Sequence, residues 1–152
     1  MPSPRPLEIV QLEAIKLLLR AGHSVIAGGG GGIPVIRDSS GFLVGVEAVI
    51  DKDRLSALLA AQLGADLFII LTGVAKVALD FGKPTQRWVD RLTATEARRH
   101  LAEGQFPAGS MGPKIESALG YLAGGGREVL ITTAEALATE DPATVGTRIV
   151  AD

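Results

Sequence analysis

Apolar residues at helical spacing open the chain: Leu7, Val10, Ala14, Ile15, Leu18 and Leu19 predict an amphipathic helix over residues 7–21. Pro2, Pro4 and Pro6 hold the residues before it extended, and Gly22 stops it. The run Ser24-Val25-Ile26-Ala27 is short and branched, so it predicts a buried strand, and it leads into five glycines at 28–32. A polar turn at 38–41 and a hairpin-like segment follow, leading to Val46-Glu47-Ala48-Val49-Ile50. After Asp51-Lys52-Asp53, Leu55, Leu58, Leu59 and Leu63 give a second helix one apolar face, and Gly64 ends it.

Residues 67–72 are almost wholly apolar, as expected of a strand covered on both faces. A shorter strand is predicted at 77–81. Thr93-Ala94-Thr95-Glu96 has the spacing of a capping box, which starts a helix running to about residue 103, before Gly104. Pro113 suits the first turn of another helix, with Ile115, Ala118, Leu119 and Leu122 inward. Residues 129–132 form the next buried strand, 134–137 a helical turn and 147–150 a closing strand. This alternation predicts an α/β fold: a three-layer α/β/α sandwich on a mostly parallel sheet, with ligands gathering beyond the strands' carboxyl ends. With 152 residues, 47% of them hydrophobic, the chain has material for one core, and residues 1–152 are read as a single domain.

Charge and composition narrow the chemistry. Fifteen basic and 17 acidic residues leave a formal charge of −2, without the clustered Lys and Arg that nucleic acid or an anionic membrane requires. The expected partner is a small molecule, with no nucleic acid and no membrane. The absence of cysteine excludes disulfides, thiolate metal sites and a cysteine nucleophile, and it suits a cytoplasmic location. His23 and His100, the two histidines, are read as surface residues rather than metal ligands, and no metal-ligating residue is assigned. Trp88 and Tyr121 are isolated aromatics, not a stacking series, and are read as packing residues.

Three segments carry candidate chemistry. The glycines at 28–32 leave backbone N–H groups bare, so a phosphate or carboxy oxygen can approach them closely; the same run also suits a plain flexible turn, and it matches neither GxGxxG nor GxxxxGK[ST]. In Asp51-Lys52-Asp53 an ammonium stands between two carboxylates at a helix mouth, a place receptive to anions. The bland alternative has Asp53 capping that helix and Asp51 facing water. Lys114, after Gly109-Ser110-Met111-Gly112-Pro113, occupies a first helical turn, where a cation is unfavourable and an anionic ligand would repair the mismatch. Phosphoryl transfer depends on positioning and charge neutralisation, and Lys52 and Lys114 are the candidates for such a clamp.

Taken together, residues 2–6, the glycine run through Pro34, GVEAVIDKD at 45–53, ILTGV at 70–74 and GSMGPK at 109–114 resemble the carbamate kinase family, in the same order and spacing across essentially the whole chain. The resemblance implies the C-terminal, nucleotide-binding half of the amino-acid-kinase fold. It implies chemistry interconverting ATP plus carbamate with ADP plus carbamoyl phosphate, using Mg²⁺. Matched by motif, Lys52 and Lys114 would stabilise charge on the transferred phosphoryl group, Asp53 would orient them, and Gly29, Gly30 and Gly31 would lie near the phosphoryl acceptor. Thr72, Gly73, Val74, Val77, Phe81, Lys83, Met111 and Pro113 would line the nucleotide site.

Three departures qualify the match. Family members are about twice this length, and the part absent here is an N-terminal half with its own glycine motif and a further catalytic lysine. The chain is therefore expected to pair with such a half or to form a homo-oligomer through an exposed sheet edge. A non-catalytic nucleotide-binding or association module, and a related acyl-phosphate-forming kinase, are the alternatives. Ala75 stands where the family's GVDxV pattern has an acidic residue, and Pro107-Ala108 reverses the usual order before GSM.

Overall fold

A computed structural model describes residues 1–139, 141 and 144–152. Its elements are α1 (Leu12–Arg20), β1 (Val35–Arg37), β2 (Leu43–Gly45), α2 (Lys52–Leu63), β3 (Leu67–Leu71), β4 (Val77–Leu79), β5 (Arg87–Val89), β6 (Arg91–Thr93), α3 (Ala94–Ala102), α4 (Met111–Ala123), β7 (Glu128–Thr132), α5 (Ala134–Thr139) and β8 (Thr147–Val150).

The central sheet has the order β3-β7-β8-β6, with β3 parallel to β7, β6 parallel to β8, and β7 antiparallel to β8. Two hairpins, β1-β2 and β4-β5, stand apart from it. The sheet is mixed but mostly parallel, and the protein is α/β as its alternation predicts. Side chains alternate across β7: Val129 and Ile131 join the main core with residues of α2, α3 and α4, while Leu130 packs on Ala136 of α5 and Val145. In the main core the Tyr121 ring stands against Phe68 with centroids 5.5 Å apart, and its hydroxyl donates to the Ala65 carbonyl.

Local signals place the helix ends. Thr93 Oγ1 accepts from the Glu96 amide at 3.2 Å while the Glu96 carboxylate accepts from the Thr93 amide at 2.8 Å, so the capping box forms and α3 starts where its spacing predicts. Gly64 ends α2 in the left-handed conformation at φ 67°.

Four expectations are corrected. Residues 24–27 form no strand: a strand needs a neighbour to take its backbone hydrogen bonds, and no strand pairs with that segment. The first helix begins at Leu12 rather than residue 7, and of its apolar positions only Ile15 is buried. The inner face of α2 is made by Ala57 and Ala60 rather than by its leucines, because α2 packs closely on α4. Finally, β3 is covered on one face only: Phe68 and Ile70 are buried, whereas Leu67, Ile69 and Leu71 are exposed at the edge of the sheet.

Candidate functional site

Asp51, not Asp53, caps α2: its Oδ1 accepts from the amides of Asp53 at 3.0 Å and Arg54 at 3.1 Å. The Asp53 side chain is thereby free to turn inward, and the residue is buried, only 9% exposed. Lys114 Nζ donates to Asp53 Oδ2 at 2.9 Å, and Lys52 Nζ approaches the same oxygen at 3.6 Å. Lys114 lies in the fourth position of α4, since that helix starts at Met111. The unfavourable cation near a helix N-terminus is therefore compensated within the chain by Asp53.

The two ion pairs differ in weight. Lys114 and Asp53 side chains are each 12% exposed, so either one left alone is a poorly solvated charge. Lys52 is 59% exposed, and its pair with Asp53 is of the surface kind, worth about 0–1 kcal/mol. One lysine is fixed and the other is free to move.

The glycine run packs on the same helix mouth. Gly31 is buried at φ +143°, and a Cβ there would stand 1.8 Å from the Ile50 carbonyl oxygen, so a side chain has no room. Gly28 lies under Leu55 of α2. Gly29 and Gly30 are exposed at the tip, with nothing within 4 Å of a Cβ on either. The loop, the start of α2 and Lys114 thus form one neighbourhood.

A cavity of about 250 Å³ opens beyond the carboxyl end of β3 and beside the β4-β5 hairpin, lined by Thr72, Gly73, Val74, Phe81, Ser110 and Met111 among others. Met111 and Lys114 are three residues apart in α4, about 4.5 Å along its axis, which sets the cavity beside the lysine pair. Val77, Lys83 and Pro113 lie off this lining. Val77 is in the core with its amide donating to Thr147 Oγ1 at 2.8 Å, and Lys83 is paired with Asp80 at 2.9 Å.

The loop before α4 is tied down at both ends. The Pro107 carbonyl accepts from the Ser110 and Gly112 amides at 3.2 and 2.9 Å, and Gln105 Oε1 accepts from the Asp80 amide at 2.8 Å. The Lys83 ammonium, then the Gln105 amide, hold the Asp80 carboxyl below its ordinary range. Asp80 itself sits at φ 52°, unusual for a residue with a side chain, where β4 turns into its hairpin.

The sequence reading missed Ala78, Trp88, Phe106, Pro107 and Ser110 on the cavity wall. Phe106 and Pro107 adjoin the GSMGPK segment, and that adjacency was the available signal. Ala78 and Trp88 meet only through the register of β4 with β5. Of the two aromatics read as packing residues, Tyr121 is fully buried, whereas Trp88 is 53% exposed on the cavity. Of the histidines read as surface residues, His23 is exposed, whereas the His100 side chain is only 11% exposed, lying against Glu103 at 3.0 Å. Among the described residues no three acids or histidines gather as a metal cage, and no helix is long and apolar enough to cross a membrane.

The sheet thus carries helices on both faces, and a lysine–carboxylate cluster stands at two helix mouths. Residues 2–133 match the model of the amino acid kinase family, and the chain belongs to that family. Carbamate kinases and carbamate-kinase-like proteins are among its relatives. The chain is 50% identical over 135 residues to the carbamate kinase of Thermoplasma volcanium, covering 89% of this chain and 44% of that protein. It is 49% identical over 148 residues to the carbamate kinase-like protein YahI of Escherichia coli, covering 97% and 47%. The structure of carbamate kinase from Giardia lamblia bound to AMP-PNP superposes with a TM-score of 0.91 at 39% identity, covering 100% of this chain and 48% of that one. The chain spans about half the length of the curated relatives it matches.

Proposed function

We propose that residues 1–152 act as one unit, the nucleotide-binding half of a carbamate-kinase-type phosphotransferase, and that catalysis requires pairing with an N-terminal half. The observation that carries this reading is the approach of two ammonium groups, at 2.9 and 3.6 Å, to a single carboxylate oxygen at the mouths of α2 and α4.

In this reading a carbamate oxygen attacks the γ-phosphorus of ATP, the bond from that phosphorus to the β,γ-bridging oxygen breaks, and carbamoyl phosphate and ADP are the products. Asp53 holds Lys114 in place, and the half-exposed Lys52 swings onto the phosphoryl oxygens as charge moves across the transfer. Helix N-termini on α2 and α4 add positive potential at the same point. Gly29 and Gly30 offer unobstructed amides to the acceptor, and Gly31 keeps the loop pressed on Ile50. Thr72, Gly73, Val74, Phe81 and Met111 wall the nucleotide; Val77, in the core, Lys83, paired with Asp80, and Pro113 of α4 stand off that wall.

Mg²⁺ fits as an ion carried by the nucleotide phosphates: the one carboxylate in the cluster already accepts from two ammoniums, a donor set that suits a charge clamp better than a cation cage. When bound there, the ion would neutralise phosphate charge.

The exposed face and free edge of β3 support a docking partner, which we read as the N-terminal half. The same face also supports a second reading, a non-catalytic association module. Mixing the chain with an N-terminal half taken from a carbamate kinase separates the two. Formation of ATP from ADP and carbamoyl phosphate on mixing, abolished by Lys114→Ala, is the expected result. A stable complex with no phosphotransfer would support the module instead.

A further inference from the structure

Trp88 is the only tryptophan of the chain, and it stands where a binding residue would. It is the central residue of β5, paired across the hairpin with Ala78 of β4, and both line the cavity. A directly opposed cross-strand residue normally covers its neighbour. A methyl group cannot cover an indole, so Trp88 remains 53% exposed on the cavity. Phe81, 60% exposed, shares the lining, while the buried Phe106 closes it from the core side. An open aromatic ring in an apolar recess, with Ser110 and Thr72 as polar groups at its margin, suits a flat heteroaromatic ligand.

We propose that Trp88 is a specificity-determining residue, the stacking wall for the purine base of the nucleotide. This rests on the nucleotide reading above and extends it from the phosphates to the base. The lysine cluster attracts any polyphosphate; the indole rewards a ring of purine size. Base-on-aromatic stacking makes the expected loss for Trp88→Ala on the order of tenfold in ATP affinity, with Trp88→Phe retaining most of it.

The test uses the whole chain, its single tryptophan as reporter, and three ligands: ATP, AMP and inorganic tripolyphosphate. ATP and AMP are expected to quench Trp88 emission, tripolyphosphate is not, and Trp88→Ala should weaken ATP about tenfold by calorimetry while leaving tripolyphosphate unchanged. ATP that binds by calorimetry without altering the emission, or with the same affinity in Trp88→Ala and Trp88→Phe, overturns the role of Trp88 and leaves the nucleotide reading intact. An equal loss for ATP and tripolyphosphate in Trp88→Ala also overturns it, because the ring would then be acting on the fold. Absence of any ATP binding to the unaltered chain overturns both readings together.

Discussion

The first fifty residues and the remaining hundred are both rich in apolar side chains, yet they fold to different degrees. Among residues 1–50 only Ile15, Gly31 and Ile50 are buried, and Leu17, Ile26, Ile33 and Phe42 are largely exposed. Beyond residue 50, Val77, Ile115, Val129, Leu130, Ile131 and Ile149 have no exposed surface. The difference is one of partners rather than of hydrophobicity. The later segments find each other through the sheet β3-β7-β8-β6, whereas 24–27 and 46–50 have no strand beside them. The lone exposed face of β3 lies in the second region but has the character of the first. An apolar run is thus an offer of burial, accepted only where the chain supplies the opposite surface.

That comparison can be broken by mutation. The largest effect is expected for Ile131→Ala, which empties a fully buried site and should cost about 2–5 kcal/mol in urea unfolding. Ile26→Ala, at a fully exposed site, should stay within about 0.5 kcal/mol. Equal losses at the two positions would remove the distinction between the regions.

Lys114→Met tests the charge pair that joins α2 to α4 within the second region, because Asp53 would keep only its more distant, exposed lysine. A loss of about 1–3 kcal/mol is expected, recovered in part by adding Asp53→Asn; a double variant no better than the single would argue against a shared charge pair. Asp51→Ala removes two hydrogen bonds from the start of α2 and should cost about 1 kcal/mol by the same urea measurement.

The smallest effect concerns acid. The Thr93 amide, bonded to its carboxylate, holds Glu96 below its ordinary pKa of 4.5. A depressed folded-state pKa contributes stability that is present above the unfolded value and disappears as pH falls through the folded one. Unfolding midpoints should therefore decline on acidification below about pH 4.5, and Glu96→Gln should flatten that decline. A parallel decline in the variant would show that the capping box is not linked to protonation.

Much of this was legible in the sequence where a local rule decides. The capping box at Thr93, the stop at Gly64 and the strands near 67–71, 128–132 and 147–150 follow from short patterns. The pairing of Lys52 with Lys114 is not local: 61 residues separate Asp53 from Lys114, and only the packing of α2 on α4 brings them together. Which of Asp51 and Asp53 caps α2 was open on spacing alone, since either carboxylate can cap; the family resemblance, not the spacing, named Asp53 as the residue that would orient the two lysines. Trp88 escaped because its exposure depends on the size of Ala78 across a hairpin, a register that composition cannot supply.

The central claim is that the ammonium groups of Lys52 and Lys114 receive the phosphates of a nucleotide. Calorimetry of ATP against adenosine, on the unaltered chain and on the Lys52→Ala/Lys114→Ala double variant, tests it most directly. ATP should bind the unaltered chain at least about tenfold more tightly than adenosine, a difference of roughly 1.4 kcal/mol, and the double variant should lose that preference. Equal affinity for ATP and adenosine in the unaltered chain would contradict the account.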